Sequence, residues 1–212
     1  MILVPAILIS SPAGDRRSEG DSRNEFGRPD GWSPGTLGMT LFLISLGVLF
    51  AASLIGYAII RVAADVWPPP GMPRLPRALW LSTVILLVSS GTVQWALHSA
   101  RTGRQKRLRA AMLSTTLLGF LFLACQTVIW FALVAANMPM TLNLYAFLFY
   151  VLTGLHAAHV VAGLIPLVIV SINAFRGRYS QRSHAGLRYC AMYWHFLDGV
   201  WLVLFAVLVV VP

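Results

Sequence analysis

Five long apolar segments constrain this chain more than any other feature of its sequence. They lie near residues 37–60, 79–98, 111–135, 145–175 and 187–211. Each reaches the roughly 20 residues that an α-helix needs to cross the hydrocarbon core of a bilayer. Only 11% of the 212 residues are charged, well below the share that is usual in a soluble domain. The sequence therefore predicts an all-α, polytopic membrane protein with a bundle of five transmembrane helices.

The basic residues lie between these segments, and they predict the orientation of the chain. Four precede the first segment, five lie between the second and third, three lie between the fourth and fifth, and Arg188 stands at the start of the fifth, so 13 of the 16 Lys and Arg residues share one side. Because short loops rich in Lys and Arg stay in the cytoplasm, we expect a cytoplasmic N-terminus and an outer C-terminus. The net charge of +9 forms no continuous basic face, which argues against a nucleic-acid partner.

The N-terminal residues differ in composition from the rest, so residues 1–36 are predicted to form a polar tail and residues 37–212 the membrane domain. The tail opens with an apolar run of about nine residues, which is too short to span a bilayer. It holds five of the seven acidic residues and many Gly and Ser residues, so we expect it to be disordered. The two cysteines, Cys125 and Cys190, lack metal-ligand spacing and are interpreted as buried free thiols.

Few ionisable residues lie inside the apolar segments. Asp198 is the only carboxylate there, and it follows His195 by three residues, so the two share one helix face. A charge at mid-bilayer costs roughly 2.5–3.5 kcal/mol, so Asp198 needs a partner, and His195 is the nearest candidate. We expect this pair to set the register between helices rather than to do chemistry, because no nucleophile accompanies it.

The fourth segment carries two further features that predict burial. His156 and His159 share one face, and with His195 they could ligate a metal, although hydrogen bonding between helices or to lipid head groups is the preferred interpretation. Gly154 begins a stripe of small residues with Ala158 and Ala162, which predicts close approach of a neighbouring helix.

Other polar and aromatic residues predict contacts between helices and positions at the membrane interfaces. A polar cluster in the second segment is expected to hydrogen-bond to other helices. Its members are Ser89, Ser90, Thr92 and Gln94. Four tryptophans are assigned to the aromatic belt at the membrane interfaces. They are Trp67, Trp80, Trp130 and Trp194.

Two motifs near the C-terminus resemble a known family. The stretches FYVLTGLHAAHVVAG (149–163) and YWHFLDGVWLVLF (193–205) resemble the last two helices of subunit III of haem–copper terminal oxidases, the cytochrome c oxidase family. LFLIS (41–45), WPPPG (67–71) and the segment 79–104 agree with that family in the same order. The resemblance implies a set of structural signature positions. They are His156, His159, His195, Asp198, Trp194, Trp201 and Gly154.

The same resemblance implies a non-redox accessory subunit in aerobic respiratory electron transport. Such a subunit packs against subunit I in a complex with subunit II, binds phospholipids and supports proton uptake, while haem and copper are held by the partner subunits and none by this chain. Arg176, Arg178 and His184 are candidates for binding lipid phosphates. The likeness to short five-helix bacterial forms implies a multi-pass protein of the bacterial plasma membrane. Leu46 stands where the family usually has a membrane Glu, so a proton-handling role at that position is not expected.

Three other functions remain open. A subunit-III-like component of a quinol oxidase or nitric oxide reductase would share these motifs, because other subunits set the electron donor. A stand-alone transporter belongs to a different class, and the scarcity of charge within the segments argues against it. A haem or metal enzyme built on the three intramembrane histidines is the remaining alternative.

Overall fold

The computed structural model describes residues 34–73, 75–179 and 184–210, and it contains five long helices joined by short connections. They are α1 (Pro34–Ala63), α2 (Ala78–Arg101), α3 (Gln105–Ala135), α4 (Leu144–Phe175) and α5 (Ala185–Phe205). The last helix continues as a π-helical turn, Ala206–Val210. All five are long and apolar enough to cross a membrane. The predicted all-α bundle of five transmembrane helices is therefore confirmed.

Some helices run past the apolar segments that predict them. α3 begins at Gln105, before the apolar segment that starts at 111, because Lys and Arg are good helix formers that can extend a helix into the head-group region. α1 begins at Pro34, and proline is favoured at the first position of a helix. Residues 1–33 lie outside the described residues, so the disordered tail stays a prediction.

The connections alternate between the two ends of the bundle. Gly103 and Gly177 follow α2 and α4 with φ angles of 71° and 70°, a left-handed conformation that ends a helix and that glycine adopts without strain. At the other end, Asn143 caps α4 by accepting a hydrogen bond from the Ala146 N–H at 2.9 Å. We call the end with connections 102–104 and 176–184 the basic end, and the end with connections 64–77 and 136–143 the opposite end.

Four of the helices enclose the core and the fifth lies beside them. α2, α3, α4 and α5 pack in a ring, because each contacts the next and α5 packs back against α2. α1 lies outside this ring against α5 and α4. At the opposite end, Trp67 packs against both Tyr57 of α1 and Tyr145 of α4. At the basic end, Arg188 of α5 donates a hydrogen bond to Thr36 of α1.

Aromatic rings of α5 fill space that two glycines leave free. A Cβ built on Gly119 of α3 would lie 2.9 Å from the Trp194 ring, and one built on Gly163 of α4 would lie 2.5 Å from the Tyr193 ring. No side chain fits at either distance unless the ring moves. These two glycines therefore allow α3 and α4 to approach α5 closely.

Candidate functional site between the helices

The polar residues of α2 and the C-terminal motif of α5 meet at one interface, which we call the α2–α5 seam. Trp194 Nε1 donates to Ser89 Oγ at 2.9 Å, and Trp201 Nε1 donates to Thr83 Oγ1 at 3.0 Å. Both tryptophans are buried, and a buried indole N–H needs an acceptor. The seam therefore aligns α5 on α2 at two points that lie two helical turns apart.

The seam corrects one assignment to the aromatic belt. Trp194 is fully buried against α2, so its assignment to a membrane interface is wrong. The cause is that position 194 faces the inside of the ring of helices and lies nine residues into α5 rather than at its end. Trp80, in contrast, is 57% exposed at the start of α2.

The other members of the predicted polar cluster also reach neighbouring helices. Ser90 Oγ lies 2.7 Å from His195 Nδ1, and Gln94 Oε1 lies 3.4 Å from His195 Nε2. Thr92 Oγ1 lies 2.8 Å from Thr115 Oγ1 of α3. The prediction that this cluster hydrogen-bonds to other helices is confirmed.

His195 and Asp198 approach each other without a hydrogen bond. Nδ1 of His195 lies 4.0 Å from Oδ2 of Asp198, which is beyond hydrogen-bond distance. Ser90, whose Oγ lies 2.7 Å from His195 Nδ1, also interacts with the Asp198 carboxylate. His195 contacts α2 through both ring nitrogens, with Nδ1 beside Ser90 Oγ and Nε2 beside Gln94 Oε1. His195 therefore reaches α2 through Ser90, and the expected His195–Asp198 pair is a close approach within the helix.

His156 lies in a cage of aromatic rings. Its ring is completely buried, with its centroid 5.1 Å from that of Trp201, 5.8 Å from that of Phe122 and 6.3 Å from that of Phe50. Within the described part of the chain, neither ring nitrogen has a hydrogen-bond partner. The expected hydrogen bond from His156 to another helix is therefore wrong, because aromatic rings occupy the positions around it.

His159 turns back onto its own helix. Its Nδ1 lies 2.7 Å from the Leu155 carbonyl oxygen, and its own carbonyl accepts a hydrogen bond from the Tyr193 hydroxyl at 2.9 Å. The backbone of His159, rather than its ring, therefore joins α4 to α5. Across the described ranges, no group of three or more His, Cys, Asp or Glu side chains is placed to hold a metal ion, so the three intramembrane histidines do not form one ligand set.

The stripe of small residues on α4 faces outward. A Cβ built on Gly154 would meet nothing within 4 Å, and Ala158 and Ala162 are exposed. Among the residues that the structure describes, the predicted close approach at this stripe does not occur. Gly119 and Gly163 make the close approaches instead, and no signal in their spacing distinguishes them from Gly154.

The three residues suggested for phosphate binding lie around the α4–α5 connection at the basic end. Arg176 follows α4 and is exposed, and Arg178 Nη1 donates to Asn173 Oδ1 at 3.2 Å. His184 precedes α5, and its buried Nδ1 has no hydrogen-bond partner in the portion of the chain that is described.

Two contacts fasten α3 to the last turn of α4 and to this connection. Arg109 Nε donates to the Ala174 carbonyl at 3.3 Å, and Gln105 Nε2 donates to the Tyr179 carbonyl at 2.8 Å. Burial raises the pKa of the Tyr179 phenol, so this hydroxyl is neutral at physiological pH. The positive charge at this end therefore comes from its arginines and Lys106.

The five membrane-spanning helices and the hydrogen bonds between them define a class of protein. It is a polytopic helical membrane protein in which polar side chains of α2 join that helix to α5. The chain belongs to the cytochrome c oxidase subunit III family, because the model of that family matches residues 33–211. The membership that the motifs at 149–163 and 193–205 predict is therefore confirmed.

Individual relatives agree with this membership. Cytochrome c oxidase subunit 3 of Synechocystis sp. is 34% identical over 93% of this chain and 83% of the relative. The protein of the same name from Arabidopsis thaliana is 33% identical over 79% of this chain and 65% of the relative. The probable cytochrome c oxidase subunit 3 of Rickettsia felis is 35% identical over 80% of this chain and 66% of the relative. The chain thus spans about two thirds of the length of the last two relatives.

Proposed function

We propose that this chain is the accessory, non-redox subunit III of a haem–copper terminal oxidase of the cytochrome c oxidase type. The family match over residues 33–211 carries the proposal. Membership implies a place within a multi-subunit oxidase complex, and we propose subunit I as the principal contact and subunit II as a further member. In that complex the partner subunits hold haem and copper and pass electrons in aerobic respiration.

The interior of the bundle supports a structural role. Asp198 is the only carboxylate in the described helices, which is few for a proton or ion pathway within this chain. We propose that the buried signature residues keep α2, α4 and α5 in the shape that packs against subunit I. They are His156, Trp194, Asp198 and Trp201, with His159 and His195 beside them. Gly154, whose surroundings are open, would meet a helix of a partner subunit.

The distribution of charge supports a particular location and orientation in the membrane. We propose that the chain spans the bacterial plasma membrane with the basic end in the cytoplasm, because 13 of its 16 Lys and Arg residues belong to that side. From this position it would support proton uptake by the complex.

The proposal is tested by affinity purification of the tagged full-length chain from its native membranes in mild detergent. Haem bands in a reduced-minus-oxidised spectrum, together with a large, many-helix, copper-binding partner found by mass spectrometry, are expected. An untagged strain is the control. The absence of both would contradict the proposal and favour a stand-alone transporter. A quinol oxidase or nitric oxide reductase partner would assign the chain to that complex, and haem retained after the partners are removed would make its histidines ligands.

We further propose that Arg176, Arg178 and His184 bind phosphate groups of anionic lipids at the basic end. Replacing both arginines, as Arg176→Ala with Arg178→Ala, should lower the amount of anionic phospholipid that copurifies with the chain, measured by lipid mass spectrometry. The double variant Arg104→Ala with Arg107→Ala is the matched control, because it removes two exposed charges from the same end. Unchanged lipid, or an equal loss in both variants, would contradict a site at the α4–α5 connection.

A further inference from the structure

Ser90, His195 and Asp198 form one polar cluster in the α2–α5 seam. Ser90 Oγ lies 2.7 Å from His195 Nδ1, and the same hydroxyl interacts with the Asp198 carboxylate, whose Oδ2 lies 4.0 Å from that nitrogen. The other ring nitrogen, Nε2, lies 3.4 Å from Gln94 Oε1. The cluster therefore runs from the buried Asp198 through Ser90 to His195, whose side chain is 39% exposed.

A polar line on α2 leads from this cluster to the basic end. Ser90, Gln94 and His98 follow one another at intervals of four residues, so they share one helix face. Ser90 is half-buried, Gln94 and His98 are exposed, and His98 lies in the last turn of α2. Hydrogen-bonding side chains therefore extend from the cluster toward the membrane surface at that end.

The position of Asp198 favours a protonated carboxyl. Asp198 lies near the middle of the 25-residue span Ala185–Val209, while every Lys and Arg of the described helices lies in the first or last two turns of its helix. Of the other intramembrane histidines, His156 contacts aromatic rings and His159 contacts its own helix. His195 is therefore the cation within reach of an ionised Asp198. Without a direct hydrogen bond between the two, their attraction does not offset the cost of removing both charges from water.

The Ser90 hydroxyl can pass a proton between its two neighbours, because it is both a donor and an acceptor. In the uncharged arrangement, Asp198 donates to Ser90 Oγ and Ser90 donates to His195 Nδ1. In the transfer, the Asp198 O–H bond breaks as its proton goes to Ser90 Oγ, and the original Ser90 proton forms an N–H bond at His195 Nδ1. Asp198 then carries a negative charge and His195 a positive charge, so the net charge of the cluster is the same in both arrangements.

We propose that Asp198 stores a proton within the bundle and exchanges it, through Ser90 and His195, with the aqueous phase at the basic end. A single carboxyl makes a local proton-binding site rather than a path across the bilayer. All the groups belong to this chain, so the proposal does not rest on the oxidase role. It adds chemistry to a pair that the sequence predicts to set only the register between helices.

The stored proton is tested by infrared difference spectroscopy on the purified full-length chain, with its copurifying partners, in lipid nanodiscs. The spectrum of the wild type minus that of Asp198→Asn should show the C=O stretching band of a protonated, hydrogen-bonded carboxyl. The band should persist in His195→Phe, measured against the double variant, because Asp198 already holds the proton. A wild type without this band, or a band found only in His195→Phe, would show an ionised Asp198 and would overturn the proposal.

The exchange route is tested by the rate at which this band shifts after transfer of the nanodiscs to D2O. Ser90→Ala should slow the shift about tenfold, because the exchange path loses a hydrogen bond, and Gln94→Leu should slow it as well. Ser82→Ala is the matched control on the same helix, since the Ser82 hydroxyl donates to the Leu79 carbonyl of α2, and it should exchange at the wild-type rate. Wild-type rates in Ser90→Ala or Gln94→Leu, or equal slowing in Ser82→Ala, would overturn the proposal.

Discussion

At the scale of single residues, the seam depends on hydroxyl groups that accept hydrogen bonds from buried indoles. Trp201 illustrates this, because its ring packs against both Phe122 and His156 while its N–H reaches Thr83 on another helix. The ring supplies apolar contact and the N–H sets the register. Substitutions that keep the volume of the side chain but remove the acceptor can therefore separate these two contributions.

Thr83→Val should destabilise the bundle, because it leaves the Trp201 N–H without an acceptor in a buried position. Hydrogen bonds between membrane helices contribute on average about 0.6 kcal/mol, with a maximum near 1.7 kcal/mol. A double-mutant cycle with Trp201→Phe, followed by unfolding in mixed micelles, should return a coupling energy in that range. Thr127→Val is the control, because the Thr127 hydroxyl bonds only within its own helix. Equal losses at Thr83 and Thr127 would contradict the prediction.

Gly163→Ala should destabilise the chain by about 1–3 kcal/mol, since it forces a methyl group into an occupied position. The added Cβ would meet the Tyr193 ring, which cannot swing away freely because its hydroxyl is bonded to the His159 carbonyl. Gly154→Ala is the matched control on the same helix and should leave the stability of the isolated chain unchanged or slightly higher. Thermal unfolding in detergent measures both, and a greater loss at Gly154 would reverse our assignment of the packed face.

At the scale of helices, α1 is held less firmly than the others. The most apolar window of α1 is 17% buried, compared with 44% in α4 and in α5. Its described side-chain hydrogen bonds to the rest of the chain lie near its ends, at Thr36 and Tyr57.

Hydrogen–deuterium exchange should therefore detect the α1 amides opening before those of α4. Trp67→Ala should accelerate exchange in α1 selectively, because it removes the hydrogen bond to Tyr57 and the ring contact with Tyr145. Trp95→Ala, which removes a 45% exposed tryptophan of α2, is the control. Uniform exchange in all five helices, or the same response to both substitutions, would show that α1 is an integral part of the bundle.

At the scale of the whole molecule, the two ends differ in charge, and this difference sets the orientation that we propose. In a chain with Cys125→Ala and Cys190→Ala, a membrane-impermeant maleimide should label Thr141→Cys in intact cells. It should label Thr102→Cys only after permeabilisation, because that residue lies at the basic end. The reverse pattern would place the basic end outside and would contradict the orientation.

The sequence by itself determined the number of helices, their approximate limits and the polar cluster of α2. Length and hydropathy are local properties, and a cluster of Ser, Thr and Gln residues in a bilayer-spanning helix favours hydrogen bonds to another helix. Ser89 and Ser90 could therefore be predicted to bond across helices, although their partners Trp194 and His195 could not be identified. The family motifs added the membership, but not the contacts of their residues.

Only the tertiary structure decided which faces of the helices are packed. In a lipid bilayer, a face that meets lipid is as apolar as a face that meets another helix, so hydropathy does not separate them. For this reason the spacing of Gly154, Ala158 and Ala162 indicated a buried stripe that is in fact exposed, while Gly119 and Gly163 make the close approaches. The burial of Trp194 and the aromatic cage around His156 have the same origin: each depends on how helices distant in sequence are rotated against one another.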